Sequence, residues 1–239
     1  MLESYFQVKS LTKRYRLRGK TYESGKYFTA VSDVSFRLTP GKTLGLIGES
    51  GSGKSTIAKM CAGLTQPDCG IFHLGNDPVE FSDPETRKRI QIIFQNPMTS
   101  LNPRMSVRAS LLEPQKVAGL TTPSKPDDVT GQMLEQVGLP AYFADKYPHM
   151  LSGGECQRVA IARVLGLKPS VLILDEVVSA LDVLVRAQVL NLLLELQEKY
   201  NIAYLFISHD LSVVRHMSDD LAVLNRGEIV ESGTASEVL

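Results

Sequence analysis

The sequence predicts an α/β fold in which a mainly parallel sheet is covered on both faces and interrupted by a mostly helical insertion. Short continuous apolar runs of strand length alternate with amphipathic helical patterns, as they do in parallel sheets that are buried on both sides. A glycine-rich loop joins one of these runs to a helical pattern. Residues 97–160 break the alternation, because they carry seven prolines and no strong strand pattern.

Apolar periodicity defines the elements in order. Residues 31–38 alternate apolar and polar side chains, which predicts a half-buried strand, and residues 43–47 form a short apolar strand. The basic run Arg87-Lys88-Arg89 is interpreted as a solvated turn or a strand entrance. Further strands are predicted at residues 71–74, 89–94, 171–174, 203–207 and 221–224, and helices at about 54–62, 106–118, 127–138 and 182–199.

Composition argues against several classes of function. The 239 residues include 26 basic and 26 acidic side chains, so the basic excess of a nucleic-acid-binding protein is missing. No apolar run approaches the roughly 18 residues of a membrane span, and the N-terminus lacks a signal-peptide pattern. The three cysteines are odd in number and lack metal-type spacing, which favours reduced thiols in a cytosolic protein. Any contact with a membrane is therefore expected to pass through a partner.

Residues 48–55, GESGSGKS, match the pattern G-x-x-x-x-G-K-[ST] of phosphate-binding loops. Glycines let successive backbone N–H groups turn toward phosphate oxygens, and the following helix directs its positive end at the same anion. Lys54 is expected to reach the β- and γ-phosphates, and the Ser55 hydroxyl to bind Mg²⁺. The loop alone predicts a nucleoside triphosphate site and leaves kinases, GTPases and motor ATPases open.

Two carboxylates follow the apolar strand VLIL at the end of a parallel strand, where α/β sheets bind ligands. Asp175 is expected in the Mg²⁺ shell and Glu176 as a general base for the attacking water. The alternative is that both residues merely open the next turn. Gln95 and His209 also follow apolar strands, but alone the first reads as a surface residue and the second as a satisfied structural one.

Residues 151–155, LSGGE, precede the helical pattern QRVAIARVLGL. Ser152 and Glu155 fit a capping box, which explains these two residues but not the adjacent glycines Gly153 and Gly154. Glycines at a helix N-terminus let a phosphate approach closely. The chain is therefore predicted to have two phosphate-seeking helix starts, one at Lys54 and one at Ser152.

These motifs, in this order, resemble those of ATP-binding-cassette (ABC) ATPases over essentially the whole chain. VLILDE resembles the Walker B strand, Gln95 the Q-loop glutamine and His209 the switch histidine. Tyr15 stands where the family has an aromatic ring that stacks on adenine, its alternative being a core residue at a strand end. The other counterparts are Gly48, Glu49, Ser50, Gly51, Ser52, Gly53, Lys54, Ser55 and Thr56 in the Walker A loop, Leu151, Ser152, Gly153, Gly154 and Glu155 in the signature motif, and Ser179, Ala180, Leu181 and Asp182 in the D-loop.

The resemblance implies a single ABC ATPase domain over residues 1–239. Its P-loop NTPase (RecA-like) core would take residues 1–96 and 161–239, with an antiparallel β part at the N-terminus and an inserted α-helical subdomain at about 97–160. Two such subunits would pack head to tail, with ATP between the Walker A loop of one and the signature motif of the other.

The resemblance also implies site roles and cofactors. It gives hydrolysis of ATP to Glu176, His209 and Gln95, and the Mg²⁺ ion to Ser55, Gln95 and Asp175.

The string FQNPMTSLNPR at residues 94–104, with LLEP at 111–114 and residues 180–197, resembles the dipeptide, oligopeptide and nickel importer branch, and in particular its second ATPase subunit. The branch implies two transmembrane permease subunits, a paralogous ATPase or a second copy as partner, an extracytoplasmic solute-binding protein, and a peripheral position at the cytoplasmic face of the inner membrane. It implies no nucleic acid. A nickel or metal-chelate importer, an exporter and a non-transport ABC ATPase remain as alternatives.

Three departures from the family pattern carry expectations of their own. Val177-Val178 replace Pro-Thr and are expected to alter the turn after the Walker B strand. Cys156 replaces a polar residue and is expected to make the closed dimer interface sensitive to thiol reagents. The chain has no region for the cysteine cluster that longer relatives carry, so no iron–sulfur centre is expected.

Overall fold

A six-stranded, mainly parallel sheet forms the centre of the protein. The computed structural model describes residues 5–17, 27–95, 100–120 and 126–239. The strand order is β10-β9-β3-β8-β7-β6, in which neighbours are parallel except for the antiparallel pair β9–β10. The strands are β3 (Thr43–Ile47), β6 (Ile90–Ile93), β7 (Val171–Asp175), β8 (Ala203–Ile207), β9 (Asp220–Asn225) and β10 (Glu228–Thr234).

Each central strand contributes to two cores, because successive side chains point to opposite faces of a sheet. Along β7, Leu172 and Leu174 pack under the helices, whereas Val171 and Ile173 pack on the other face. All five residues of β7 are buried, which explains why the strand reads as a continuous apolar run.

A second, antiparallel sheet covers the face of the central sheet that carries Val171 and Ile173. Its order is β2-β1-β4-β5, and it shares this core with the first helix of the chain. The strands are β1 (Phe6–Arg16), β2 (Tyr27–Leu38), β4 (Cys69–Leu74) and β5 (Asp77–Pro78). The antiparallel sheet and this helix together therefore cover that face of the central sheet.

Helices cover the opposite face and form the insertion between β6 and β7. The helices are α1 (Lys54–Cys61), α2 (Pro84–Arg89), α3 (Val107–Val117), α4 (Pro126–Glu135), α5 (Gly153–Leu165), α6 (Val183–Tyr200), α7 (Leu211–Met217) and α8 (Ala235–Val238), and 3₁₀ turns lie at Ala141–Asp145 and Pro148–Met150. Buried residues of α3, α4 and α5 join one core with Leu174 and Phe206 of the central sheet. The inserted helices thus share one hydrophobic core with the strand that ends at Asp175.

The predicted fold class is confirmed, with local corrections. The basic run 87–89 forms the last turn of helix α2, which Asp83 caps at its other end, and it leads directly into strand β6 at Ile90. The predicted boundary between residues 96 and 97 lies outside the described residues. None of the helices in the described ranges is long and apolar enough to cross a bilayer.

Candidate functional site

A cleft of about 610 Å³ opens where the carboxyl ends of the central strands meet the antiparallel sheet. This volume lies within the range of about 300–1,000 Å³ typical of small-molecule sites. Most of the predicted phosphate-loop residues border it, together with residues that follow β7 and β8. The lining residues are Tyr15, Phe28, Ala30, Ser50, Gly51, Gly53, Lys54, Ser55, Thr56, Glu176 and His209.

The loop between β3 and α1 has a shape that only glycine allows at two positions. Gly48 has φ 154° and Gly53 has φ 114°. A Cβ atom would collide with the carbonyl oxygen of Leu224 at Gly48 and with that of Ala30 at Gly53. The glycines of the pattern therefore let the loop fold tightly against two neighbouring strands.

Lys54 is buried, and its ammonium group is turned back into the loop. Its Nζ donates hydrogen bonds to the carbonyl oxygens of Gly48 at 2.7 Å and Glu49 at 2.8 Å. Burial lowers the pKa of Lys54, while the carboxylates of Glu176 and Asp175 act in the opposite direction. A cation thus lies at the floor of the loop beside two acidic groups, in a position to meet an anion.

Asp175 ends β7 opposite the start of helix α1. The Ser55 hydroxyl donates a hydrogen bond to its Oδ1 at 3.3 Å. Burial raises the pKa of Asp175, and the hydrogen bond from Ser55 partly opposes this effect. A buried carboxylate next to a hydroxyl is a donor set that a hard divalent cation prefers.

Glu176 adopts a left-handed backbone conformation, with φ 51°. Such a conformation is uncommon for residues other than glycine and is stabilised here by the hydrogen bond from the Glu176 N–H to the Ile207 carbonyl at 2.9 Å. The Glu176 side chain points into the cleft, where its Oε1 lies 3.3 Å from Nδ1 of His209. The strand pairing of β7 with β8 therefore brings these two side chains together from 33 residues apart.

Gln95 is linked to Glu176 by hydrogen bonds through the hydroxyl of Ser179. Its Nε2 donates to the Ser179 hydroxyl at 3.2 Å, and that hydroxyl donates to the Glu176 carbonyl at 2.9 Å. The segment that follows β6 and the segment that follows β7 are thus joined by hydrogen bonds through the Ser179 side chain.

The residues of the D-loop fall into exposed and buried positions. Ala180 is exposed and Leu181 is buried, and Asp182 caps α6 by accepting a hydrogen bond from the Val185 N–H at 3.0 Å. Val177 and Val178, which replace Pro-Thr, are buried in the core under the helices. These residues lie beside the cleft without lining it.

Residues 151–155 are not among the residues that line the cleft. The predicted capping box is present: Ser152 Oγ accepts a hydrogen bond from the Glu155 N–H, and Glu155 Oε2 accepts one from the Ser152 N–H at 2.7 Å. A Cβ atom at Gly154 would collide with Val185 of α6, so packing against α6 explains this glycine. Gly153 is exposed, and its backbone remains open at the tip of the helix.

Cys156 points away from this tip and into the core under the helices. The residue is fully buried, its Sγ lies 3.6 Å from the Pro148 carbonyl oxygen, and burial raises the pKa of its thiol to about 11. The expectation that Cys156 makes the closed dimer interface sensitive to thiol reagents is therefore wrong for this conformation, in which the thiol lies in the core.

Phe28 is a cleft residue that the sequence did not single out. It pairs with Tyr15 across β1 and β2, so both side chains lie on the same face of the antiparallel sheet at the mouth of the cleft. Tyr15 is 40% exposed and Phe28 51%, so the alternative that Tyr15 is a core residue is wrong. Only the register of the two strands could have revealed Phe28.

The fold and the loop define a P-loop ATPase with an inserted helical region. The chain belongs to the ABC transporter family, whose sequence profile matches residues 31–179. It is an ABC-type ATPase that couples ATP hydrolysis to transport through membrane permease subunits.

The relatives and solved structures that it resembles agree with this assignment. The chain is 45% identical over 233 residues to the dipeptide transport ATP-binding protein DppF of Haemophilus influenzae, covering 95% of this chain and 71% of that one. It is 41% identical over 243 residues to the putrescine export system ATP-binding protein SapF of Escherichia coli K12, covering 100% and 89%. The dimeric post-hydrolysis structure of the cassette MJ0796 with ADP and Pi superposes with a TM-score of 0.82 at 25% identity, covering 96% and 98%.

Proposed function

We propose that the chain is the ATP-hydrolysing subunit of an importer for dipeptides and oligopeptides. The observation that carries the ATPase assignment is the convergence of Lys54, Glu176 and His209 at one cleft bordered by a phosphate loop, with Asp175 hydrogen-bonded to Ser55 of that loop. The observation that favours peptides is the identity of 43% to 45% with relatives named for dipeptide or oligopeptide transport.

ATP would bind with its phosphates in the loop and its base at the aromatic mouth of the cleft. Lys54 would exchange its hydrogen bonds to the Gly48 and Glu49 carbonyls for phosphate oxygens. Tyr15 and Phe28 would contact the base, because their exposed rings offer apolar faces on the same side of the sheet.

Magnesium fits the residues present. The Ser55 hydroxyl and the Asp175 carboxylate face each other, and a divalent cation would relieve the unfavourable burial of that carboxylate. In the described ranges no cluster of three His, Cys, Asp or Glu side chains could hold a metal by itself. Phosphate oxygens and Gln95 would therefore complete the shell, and the ion would neutralise charge on the phosphates.

Glu176 would act as the general base toward the attacking water. Its side chain enters the cleft from a backbone conformation held by the Ile207 carbonyl, so its direction is fixed before nucleotide arrives. His209 would orient the Glu176 carboxylate and the water, since its ring nitrogen already lies within 3.3 Å of that carboxylate. The hydrogen bonds from Gln95 to Ser179 and on to Glu176 would hold Gln95 beside the same centre.

A second ATPase subunit would complete the site. Residues 151–155 lie outside this chain's own cleft, and the exposed Gly153 leaves a helix N-terminus open to an anion. We propose that this tip contacts ATP held by a partner, which is a paralogous subunit or a second copy. The helical region at about 97–160 would pass the resulting motion to two permease subunits, with this chain peripheral at the cytoplasmic face of the membrane.

The transported solute is tested by reconstitution. The chain is co-purified with its membrane subunits, the bound subunits are identified, and ATPase activity in proteoliposomes is measured with candidate solutes and solute-binding protein. Stimulation by dipeptides or oligopeptides is expected. Stimulation by nickel or a metal chelate, or by putrescine as the name of the SapF relative suggests, would replace the peptide assignment, and absence of ATPase activity would overturn the function itself.

A further inference from the structure

Arg186, in the first turn of α6, connects two loops at the rim of the cleft. Its Nη1 lies 3.1 Å from Oδ2 of Asp210, and its Nη2 donates a hydrogen bond to the Leu181 carbonyl oxygen at 3.2 Å. Leu181 belongs to the D-loop, and Asp210 immediately follows His209. One guanidinium group therefore links the D-loop to the turn that carries the histidine.

Asp210 divides its two carboxylate oxygens between separate tasks. Oδ1 caps α7 by accepting hydrogen bonds from the Ser212 N–H at 3.0 Å and the Ser212 hydroxyl at 2.6 Å. Oδ2 is left for Arg186. The Ser212 hydroxyl, with a smaller contribution from Arg186, holds the pKa of Asp210 below its ordinary value, so the carboxylate is charged near neutral pH.

We propose that Arg186 is a positioning residue for ATP hydrolysis: it fixes the turn carrying His209 at the distance from the D-loop at which His209 meets Glu176. The inference rests on the proposed role of His209. The chain of contacts runs from the Leu181 carbonyl through the guanidinium to Asp210, and from the neighbouring His209 Nδ1 to the Glu176 carboxylate. Glu176 also begins the chain segment that leads into the D-loop and so back to Leu181. The contacts and this segment therefore form a closed ring beside the Glu176 and His209 side chains.

Two properties favour positioning over a contribution to stability. The side chains of Arg186 and Asp210 are 27% and 35% exposed, and ion pairs exposed to this degree contribute little to folding. Arg186 Nε is buried and finds no hydrogen-bond partner in the part of the chain that the structure describes. One N–H of this arginine is unsatisfied among the described residues, while two others bridge separate loops. This arrangement favours a role in fixing the geometry of the loops.

The chemistry of the bridge is specific to arginine. A planar guanidinium presents several N–H groups in a fixed fork, whereas a lysine ammonium is a single point charge on a flexible stem. Lysine at position 186 would keep the charge but would not hold the Leu181 carbonyl and the Asp210 carboxylate in fixed register. Arg186→Lys therefore removes the two fixed contacts while keeping the positive charge, and so tests the contacts alone.

The test compares Arg186→Lys with Asp210→Asn, each assembled with the membrane subunits. The asparagine keeps an oxygen for the α7 cap and loses the charge that faces Arg186. Arg215→Lys is the matched control, because Arg215 is an exposed arginine on α7. The measurements are kcat and KM for ATP, MgATP affinity, and the urea midpoint of unfolding.

Both variants are expected to lower kcat about tenfold, the size of one lost hydrogen bond to a charged group. KM for ATP, MgATP affinity and the urea midpoint are expected to stay near wild-type values, and Arg215→Lys to match wild type throughout. Combined with His209→Ala, Arg186→Lys is expected to cause no further loss, because the two residues act as one unit.

Wild-type kcat in Arg186→Lys overturns this inference and leaves the ATPase assignment intact. So does a loss of kcat that follows the urea midpoint, or one that adds fully to the loss in His209→Ala. Wild-type kcat in His209→Ala itself would remove the proposed role of His209, and the inference with it.

Discussion

The Gln95 side chain is hydrogen-bonded to the Ser179 hydroxyl, with 3.2 Å between Nε2 and Oγ. The two residues are 84 positions apart and follow neighbouring parallel strands, β6 and β7. Because the same hydroxyl donates to the Glu176 carbonyl, one serine orients both the glutamine and the turn that begins at the proposed base.

Ser179→Ala is expected to lower kcat for ATP about 2- to 10-fold, the range of one ordinary hydrogen bond, with little change in KM. Loss of the hydroxyl frees Gln95 and removes one of two hydrogen bonds to the Glu176 carbonyl, the other being the Ser179 N–H at 3.1 Å. Ser179→Thr keeps the hydroxyl and is expected to recover most of the activity in the assembled transporter. Equal activity in the alanine and wild-type complexes would contradict this prediction.

Glu176→Gln is expected to bind MgATP and to trap the closed pair of ATPase subunits, with kcat reduced about 10²- to 10⁴-fold by loss of the base. Binding persists because the phosphate loop and Lys54 are untouched. Equilibrium binding, gel filtration with ATP and steady-state turnover measure the three effects. The control is Glu195→Gln, at an exposed position of α6. Turnover near the wild-type rate in Glu176→Gln would show that Glu176 is not the general base.

Phe28→Ala is expected to weaken ATP binding about 2- to 10-fold, as loss of one aromatic contact does. Tyr27→Ala is the matched control, because Tyr27 is the neighbouring exposed aromatic on the same strand and does not line the cleft. Fluorescence titration with a labelled ATP analogue measures both variants. Equal losses in the two variants would argue against a base contact by Phe28.

Gly154→Ala is expected to destabilise the fold by about 1–3 kcal/mol, because its methyl group would overpack against Val185. Val185→Ala in the same chain is expected to recover part of that loss. Gly153→Ala meets only Leu181 Cδ2 at 3.6 Å and is expected to leave stability unchanged while lowering ATPase activity in the dimer. Urea denaturation measures the stability of each variant, and steady-state turnover measures its ATPase activity. A Gly154→Ala variant that is stable but inactive would contradict the packing role of Gly154.

One thiol is expected to react readily with an aromatic disulfide reagent at pH 8 in the folded protein. Cys69 is exposed, whereas Cys61 and Cys156 are buried. Burial raises the pKa of the Cys156 thiol to about 11 and raises that of Cys61 further, so both stay protonated and unreactive at this pH. Cys69→Ser is expected to abolish the fast reaction, and urea to expose the other two thiols. Rapid labelling of folded Cys69→Ser would contradict the burial of Cys61 or Cys156.

Much of the fold could be predicted because buried parallel strands leave a simple pattern. The predicted strands at 43–47 and 203–207 coincide with β3 and β8, where every side chain is buried. Helix α2 was missed because it buries none of its residues and so has no apolar periodicity. The antiparallel sheet was predicted only by the family resemblance. Its register depends on pairing between distant segments, which local sequence patterns do not show.

Within the site, the sequence predicted which residues take part, but it did not predict the orientation of their side chains. Spacing predicted Lys54 at a helix start and the two acids at the end of a strand, and the structure places Lys54 and Glu176 in one cleft with Asp175 hydrogen-bonded to Ser55 beside it. The orientation of Cys156 could not be predicted, because one helical position decides between core and interface. The contact of Arg186 with Asp210 was equally hidden, since it joins the first turn of one helix to the cap of another.

Strand β7 supplies side chains to both apolar cores, Leu172 and Leu174 on one side and Val171 and Ile173 on the other. We therefore expect the two layers to unfold together, because loss of either layer would expose side chains of the strand that the other layer needs. Denaturation of the whole chain should accordingly follow one sharp sigmoid. A core substitution among the inserted helices is then expected to lower the stability of the nucleotide-binding loop as well, because both belong to one cooperative unit.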